Sequence, residues 1–270
     1  MGSSHSRPNK KPRRAGKARA QHPVQHQQQG AQISGPVGGP IMVPPVYRDA
    51  GGRPIQHASF TLTREILSRA LDDMAAWLAQ NGVTANIVTV GGAVNTLYLR
   101  SRDNTHDVDF FLANPTAPEH TAIHQAARHA NRQVNGALGA DWFNNATQVM
   151  MGRQVQQSLA AGAFQQNTIV YQRMGNGGGL RIYAAPWSYA FCGKLNRLCE
   201  VSHRSYDLAD AISYLHEYLR TSGQQTVSAR KIFGWCQQYR KNVTEAVLQR
   251  VDEAYRQAYG YRPIDWQSQS

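Results

Sequence analysis

The chain has 270 residues, 41% of them hydrophobic, enough for a packed core in one large domain or a domain with an appendage. Its formal charge of +12 is unevenly placed: residues 1–20 hold seven Lys/Arg and no acid, so the remainder carries only about +5, and charge alone does not make the body a nucleic-acid binder. The three cysteines, Cys192, Cys199 and Cys236, argue against a disulfide framework, and no apolar run suits secretion or a bilayer span, so a reducing, cytoplasmic setting is expected.

Residues 1–50 read as a disordered tail and linker, rich in Lys, Arg, Gln, Gly and Pro. Gly2 and Ser6 fit the M-G-x-x-x-[ST] signal for N-myristoylation, and the segment resembles the acylated N-terminus of Src-type kinases. A single acyl chain anchors weakly, and the basic run from Arg7 to Arg19 would supply the second signal on an anionic membrane. The same run also fits a solvated tail, a nuclear-import signal or an RNA contact. Gly35 to Pro45 reads as an extended linker.

From Thr63 the pattern turns helical, with Leu67, Leu71, Met74 and Leu78 on one face, Thr63 as N-cap, Glu65 in the first turn and Asn81-Gly82 as the stop. Ile87 to Val90 is a short β-branched run and predicts a buried strand. Gly91 and Gly92 follow, then an apolar stretch from Ala93 to Leu99 suited to about two helical turns. A strand, paired glycines and a helix start put backbone N–H groups where a phosphate can bind. A second strand, Asp107 to Leu112, carries two carboxylates two residues apart. That spacing puts Asp107 and Asp109 on one face and Val108 and Phe110 on the other. Two such acids are best tolerated with a divalent cation between them and a phosphate.

Pro118 to Asn135 predicts a helix presenting His120 and His124 on a solvated face. Asp141 is expected to cap a short helix after it. Thr168–Met174 and Leu180–Ala185 read as strands joined by a glycine-rich hairpin turn, and neither carries an acid. Four helices follow: Trp187–Glu200, Tyr206–Leu219, Val227–Tyr239, with Thr226 at the capping position, and Val243–Tyr259. Cys192 and Cys199 share a face and read as core. Residues 225–270 interleave cations and aromatic rings, which suits RNA binding and equally suits the surface of a helix bundle.

The glycine pair, the helix and the Thr105-His106-Asp107-Val108-Asp109 run together resemble the signature of the nucleotidyltransferase (DNA polymerase β-like) superfamily, and within it the minimal AbiEii-toxin-like branch. The segment Pro186 to Leu215 resembles that family's second motif, a lysine on a proline-led helix followed by an aspartate pair. Here these are Lys194, Asp207 and Asp210.

The resemblance implies an α/β fold, a mixed sheet flanked by helices over residues 51–186, with a C-terminal helical bundle over 187–265. It implies Mg²⁺ (or Mn²⁺) held by Asp107 and Asp109. The nucleoside triphosphate would be bound by Gly91, Gly92, Thr105 and Lys194. Asp207 or Asp210 would complete the metal shell or act as the base. The reaction would transfer a nucleotidyl group to a protein, an RNA or a small molecule. Because many of these enzymes place a third acid on a neighbouring strand, the acid-free strands 168–185 leave a second reading: a degenerate fold that binds nucleotide, or a membrane-tethered adaptor.

Overall fold

Thr63 caps the first long helix as its sequence predicts: its Oγ1 accepts the Ile66 N–H at 3.4 Å and opens α1 (Arg64–Gln80). Leu67, Leu71, Met74 and Leu78 all lie buried on one face, and the helix stops at Asn81 before Gly82, whose φ is +69°. The computed structural model describes residues 33–34, 40–41, 60–113 and 117–267. The Gly2 acylation signal, the basic run and all of the linker except Pro40–Ile41 lie outside the described residues.

A short strand, β1 (Leu62–Thr63), precedes α1, and β2 (Thr84–Val90) follows it. The chain then makes a single α-turn, α2 (Gly92–Val94), which continues as a π-helical turn over Asn95–Leu99. The expected helix thus forms, but its wider second half carries Asn95 inward, where its amide is buried. Next come β3 (Asn104–Thr105), antiparallel to β1, and β4 (Val108–Phe111). The alternation expected of β4 holds. Val108 and Phe110 join the core beneath α1 and α3 (Ala117–Gln133), while Phe111 enters the core on the opposite face.

After β5 (Phe143–Asn144) comes a 3-10 turn over Ala146–Met150, then α4 (Arg153–Gln166), which has no expected counterpart. Its sequence is rich in glutamine, yet it buries Leu159, Ala160 and Ala163 against Val88, Phe111 and Tyr183. The hairpin forms as β6 (Ile169–Gly175) and β7 (Gly178–Ala184). Its glycines serve close approach as well as the turn. A Cβ on Gly178 would meet Val83 O at 2.2 Å, and one on Gly179 would meet Arg173 O at 2.3 Å.

These strands form one five-stranded mixed sheet in the order β5-β4-β2-β7-β6. β2 runs antiparallel to β4 and parallel to β7, with Val90 opposite Asp109. α1 and α3 cover one face and α4 part of the other, so the fold is α/β with a flanked mixed sheet. The uncovered end of the second face is where Asp109 projects.

The C-terminal helices are α5 (Trp187–Leu198), α6 (Asp207–Ser222), α7 (Ala229–Gln238) and α8 (Glu245–Tyr259). They pack around Trp187, Phe191, Tyr214 and Tyr255, and this cluster also takes in Val94 and Ala184 from the sheet side. Cys192 is buried there as expected, whereas Cys199, at the end of α5, is half-buried. Ser228 rather than Thr226 caps α7, because Val227–Ser228 forms β8 and pairs in parallel with β9 (Ile264–Asp265).

Two expectations about α3 and its neighbour are corrected. His120 and His124 are not solvated: they are 1% and 5% exposed. The helix otherwise offers mainly alanine to the core, and the imidazoles fill the remaining space. His124 packs on the Phe110 ring, the two Nε2 atoms lie 3.2 Å apart, and Asn145 Nδ2 donates to His120 Nε2 at 3.0 Å. Burial first, and then the neighbouring His120 and Arg128, hold His124 down to about 4. Nor does Asp141 cap the following turn. Asn144 Oδ1 accepts the Ala146 N–H at 3.0 Å instead.

Candidate active site

The residues singled out at Gly91–Asp109 converge on one cleft of about 770 Å³. Gly91, Gly92, Thr105, Asp107 and Asp109 line it from the sheet side, and Lys194, Arg197 and Tyr206 line it from the helical side. Gly91 has φ +73°, a conformation that favours glycine. Gly92 serves a different need: a Cβ there would stand 2.1 Å from Thr105 Oγ1. Thr105 therefore packs directly on the glycine turn, and its hydroxyl donates to Asp107 O at 3.2 Å. The N–H groups of Gly92 and Ala93 precede the first bond of the turn, which the Val94 N–H makes to Gly91 O at 3.1 Å.

Asp107 and Asp109 are both drawn out of water, and no lysine or arginine among the described residues forms an ion pair with either. Burial raises the pKa of Asp107. Burial first, and then the neighbouring charge of Asp107, pushes Asp109 up to about 7. Asn144 opposes both shifts by donating its amide to the two carboxylates. The register explains its reach: β5 runs parallel to β4 with Asn144 opposite Asp109. Asn144 Oδ1 accepts the Ala146 N–H, and its NH₂ donates to Asp141 O at 3.3 Å on the side that meets the acids. Sequence reasoning stopped at Asp141 and passed over Asn144, three residues on in the same Asp-Trp-Phe-Asn-Asn segment.

Lys194, Asp207 and Asp210 come together, but not as a third side of the acid site. Asp207 and Asp210 are 0% and 1% exposed and do not line the cleft. Lys194 Nζ lies 2.7 Å from Asp207 Oδ1 and 2.8 Å from Asp210 Oδ2. Arg102 clasps Asp210 with two nitrogens, Nε at 3.0 Å from Oδ1 and Nη2 on Oδ2. Asn95 Nδ2 donates to the same carboxylate at 2.9 Å, and the Arg204 N–H donates to Asp207 Oδ2 at 2.9 Å. With two cations and these donors around them, both aspartates have their oxygens occupied. Among the described residues no cluster of three or more His, Cys, Asp or Glu is placed to share a metal.

This network shifts its own members. Burial alone would raise Asp207, but the hydrogen bonds from Lys194 and the Arg204 N–H, with the charges of Lys194 and Arg197, hold it below the usual carboxylate range. Burial brings Lys194 down to about 8, against the pull of Asp207. The network also reaches the glycine turn. Tyr214 on α6 sends its hydroxyl to Gly91 O at 3.1 Å and to Asn95 Oδ1. Arg102 Cζ lies over the Tyr206 ring, 3.7 Å from its centre. Helix α6 and the glycine turn are thus joined through Tyr214, Asn95 and Asp210.

Comparison with known proteins agrees with this geometry at a coarse level. A family model described as a nucleotidyl transferase of unknown function matches residues 67–140. The matched stretch runs from α1 through the glycine turn and both carboxylates into the loop after α3, and it supports a nucleotidyltransferase-like chain. Lys194, Asp207 and Asp210 lie beyond it. No curated protein and no solved structure matches.

Proposed function

We propose that this nucleotidyltransferase-like chain moves a nucleotidyl group from a nucleoside triphosphate to a hydroxyl acceptor in a Mg²⁺-dependent reaction: the acceptor oxygen bonds to the α-phosphorus and pyrophosphate leaves. The observation that carries the reading is the acid pair itself: Asp107 and Asp109 share one wall of a cleft whose next residues are Gly91 and Gly92.

The donor set suits a hard divalent cation. Both groups are carboxylates, both are partly withdrawn from water, and their mutual repulsion raises Asp109. Magnesium commonly takes one or two protein carboxylates and completes its shell with water and substrate phosphate, so no third acid is required. Asp107 and Asp109 would hold it, and its charge would offset theirs against the phosphate oxygens.

The chain's own groups supply the rest. Backbone N–H groups at Gly92 and Ala93 suit the oxygens of the β- and γ-phosphates. Asn144 keeps the two carboxylates turned toward the cleft. Thr105 and Tyr214 fix the glycine turn from either side. Asp109, pushed up to about 7 by burial and by Asp107, would give up its proton as the cation binds, so that both carboxylates face the metal ionised.

The experiment is transfer of an α-³²P label from each of the four NTPs to RNA, protein and small-molecule acceptors, with wild type and Asp109→Asn. Labelling that is Mg²⁺-dependent in wild type and absent in a folded Asp109→Asn supports the proposal. A fully active Asp109→Asn rejects it. The commitment of Asp207 and Asp210 to Lys194 and Arg102 favours a second reading, a fold that binds nucleotide without turning it over. Mg-NTP binding in calorimetry, with no transfer to any acceptor, would select that reading.

A further inference from the structure

Among the described residues, five Lys/Arg side chains line the cleft; Lys241 lies over the Tyr189 ring, and the other four divide into two kinds. Lys194 and Arg102 are 12% and 13% exposed and are held against Asp207 and Asp210. Arg197 and Arg204 are exposed, and among the described residues neither forms an ion pair. Both line the cleft, and the charge of each reaches Asp109. Arg197 stands almost one helical turn beyond Lys194 on α5. Arg204 sits on the loop before α6, and that loop is held. Its N–H donates to Asp207 Oδ2 at 2.9 Å, and its Nη1 donates to Tyr206 Oη at 2.8 Å. The Tyr206 ring is in turn fixed beneath Arg102.

We propose that Arg197 and Arg204, rather than Lys194, are the side chains that grip the phosphate tail of the nucleotide. The inference rests on the nucleotide reading of the cleft given above. Lys194 has two of its three donors committed to buried carboxylates, and withdrawing it from them would leave both acids exposed to each other's charge. The two guanidiniums have no such commitment. Each offers a planar set of N–H donors matched to phosphate oxygens. Both line the same cleft as the glycine turn, so a polyphosphate bound there would have backbone N–H donors and guanidiniums to share. The buried Lys194–Asp207–Asp210–Arg102 network then has a positioning role: it holds the loop that presents Arg204.

The test is calorimetric titration of the full chain with a non-hydrolysable ATP analogue plus Mg²⁺, and separately with inorganic tripolyphosphate. Arg197→Gln and Arg204→Gln are each expected to weaken both ligands about tenfold, at the low end for charge-assisted bonds, with thermal melting unchanged. Arg250→Gln removes the same charge from an exposed site on α8 outside the cleft and is expected to leave both affinities within twofold. Analogue binding that is unaffected in the Arg197→Gln/Arg204→Gln double variant overturns the inference and leaves the nucleotide reading standing. Equal losses in Arg250→Gln, or a loss for the analogue but not for tripolyphosphate, also overturn it. A wild-type chain that binds neither ligand overturns the inference and the nucleotide reading together.

Discussion

Asp109→Asn should stabilise this protein at alkaline pH while destroying its site. In the folded chain Asp109 titrates near 7, whereas an unfolded aspartate titrates near 3.8. A carboxyl whose folded pKa is raised contributes its full relative stability below the unfolded value and loses it as pH rises through the folded one. The shift of about three pH units corresponds to at most about 4 kcal/mol at 1.36 kcal/mol per unit. Because Asp109 is only partly buried, about 2–4 kcal/mol is the working range. Asparagine has no charge to bury and can still accept from Asn144. The expected result, in urea unfolding with EDTA present, is a stability gain for Asp109→Asn over wild type that grows by about 2–4 kcal/mol between pH 4 and pH 8. In melting temperature that is on the order of 10 °C for a chain of this size. Parallel pH profiles for the two proteins, within about 0.5 kcal/mol throughout, would refute the claim that burial and Asp107 together strain this carboxylate.

The network behind the cleft makes further predictions. Lys194→Met leaves Asp207 and Asp210 with fewer partners and should lower stability by about 3 kcal/mol in urea unfolding at pH 7, the low end for breaking a buried pair because Arg102 and the Arg204 N–H remain. Asp207 is held below its ordinary pKa, so its contribution is present above about pH 4 and is lost as pH falls further; wild type should therefore lose more stability than Asp207→Asn on acidification below that point. Tyr214→Phe removes the hydroxyl shared by Gly91 O and Asn95 Oδ1 and should cost about 1–2 kcal/mol, with nucleotide affinity falling alongside. Gly92→Ala forces a methyl against Thr105 and should abolish Mg-NTP binding in calorimetry while circular dichroism reports a folded chain.

The parts of this fold legible from sequence are those encoded over a few neighbouring residues. The Thr63 cap, the leucine face of α1, the glycine pair and the alternation around Asp107 and Asp109 are local patterns, and each appears where its period or turn chemistry puts it. The rest depends on contacts between distant segments. Arg102 and Asp210 are 108 residues apart, and no spacing rule joins them. Lys194 and the two aspartates of α6 were readable as a group, but not the direction in which they face. That direction is set by Arg102 and Asn95, which arrive from the π-helical turn and the loop after it. The histidines of α3 misled for a related reason. Their four-residue spacing says only that they share a face, and whether that face meets water depends on the small alanines beside them and on Phe110. Asn144 carried no local signal, because its role follows from the parallel register of β5 on β4.

The central claim is that Asp107 and Asp109 form a cation site whose occupancy is tied to a proton near neutrality. Calorimetric titration of Mg²⁺ at pH 6.5, in two buffers of different ionisation enthalpy, tests it most directly. The account predicts Mg²⁺ binding with release of roughly half to one proton, and loss of that release in Asp109→Asn. No binding by wild type, or binding with no proton released, would contradict it.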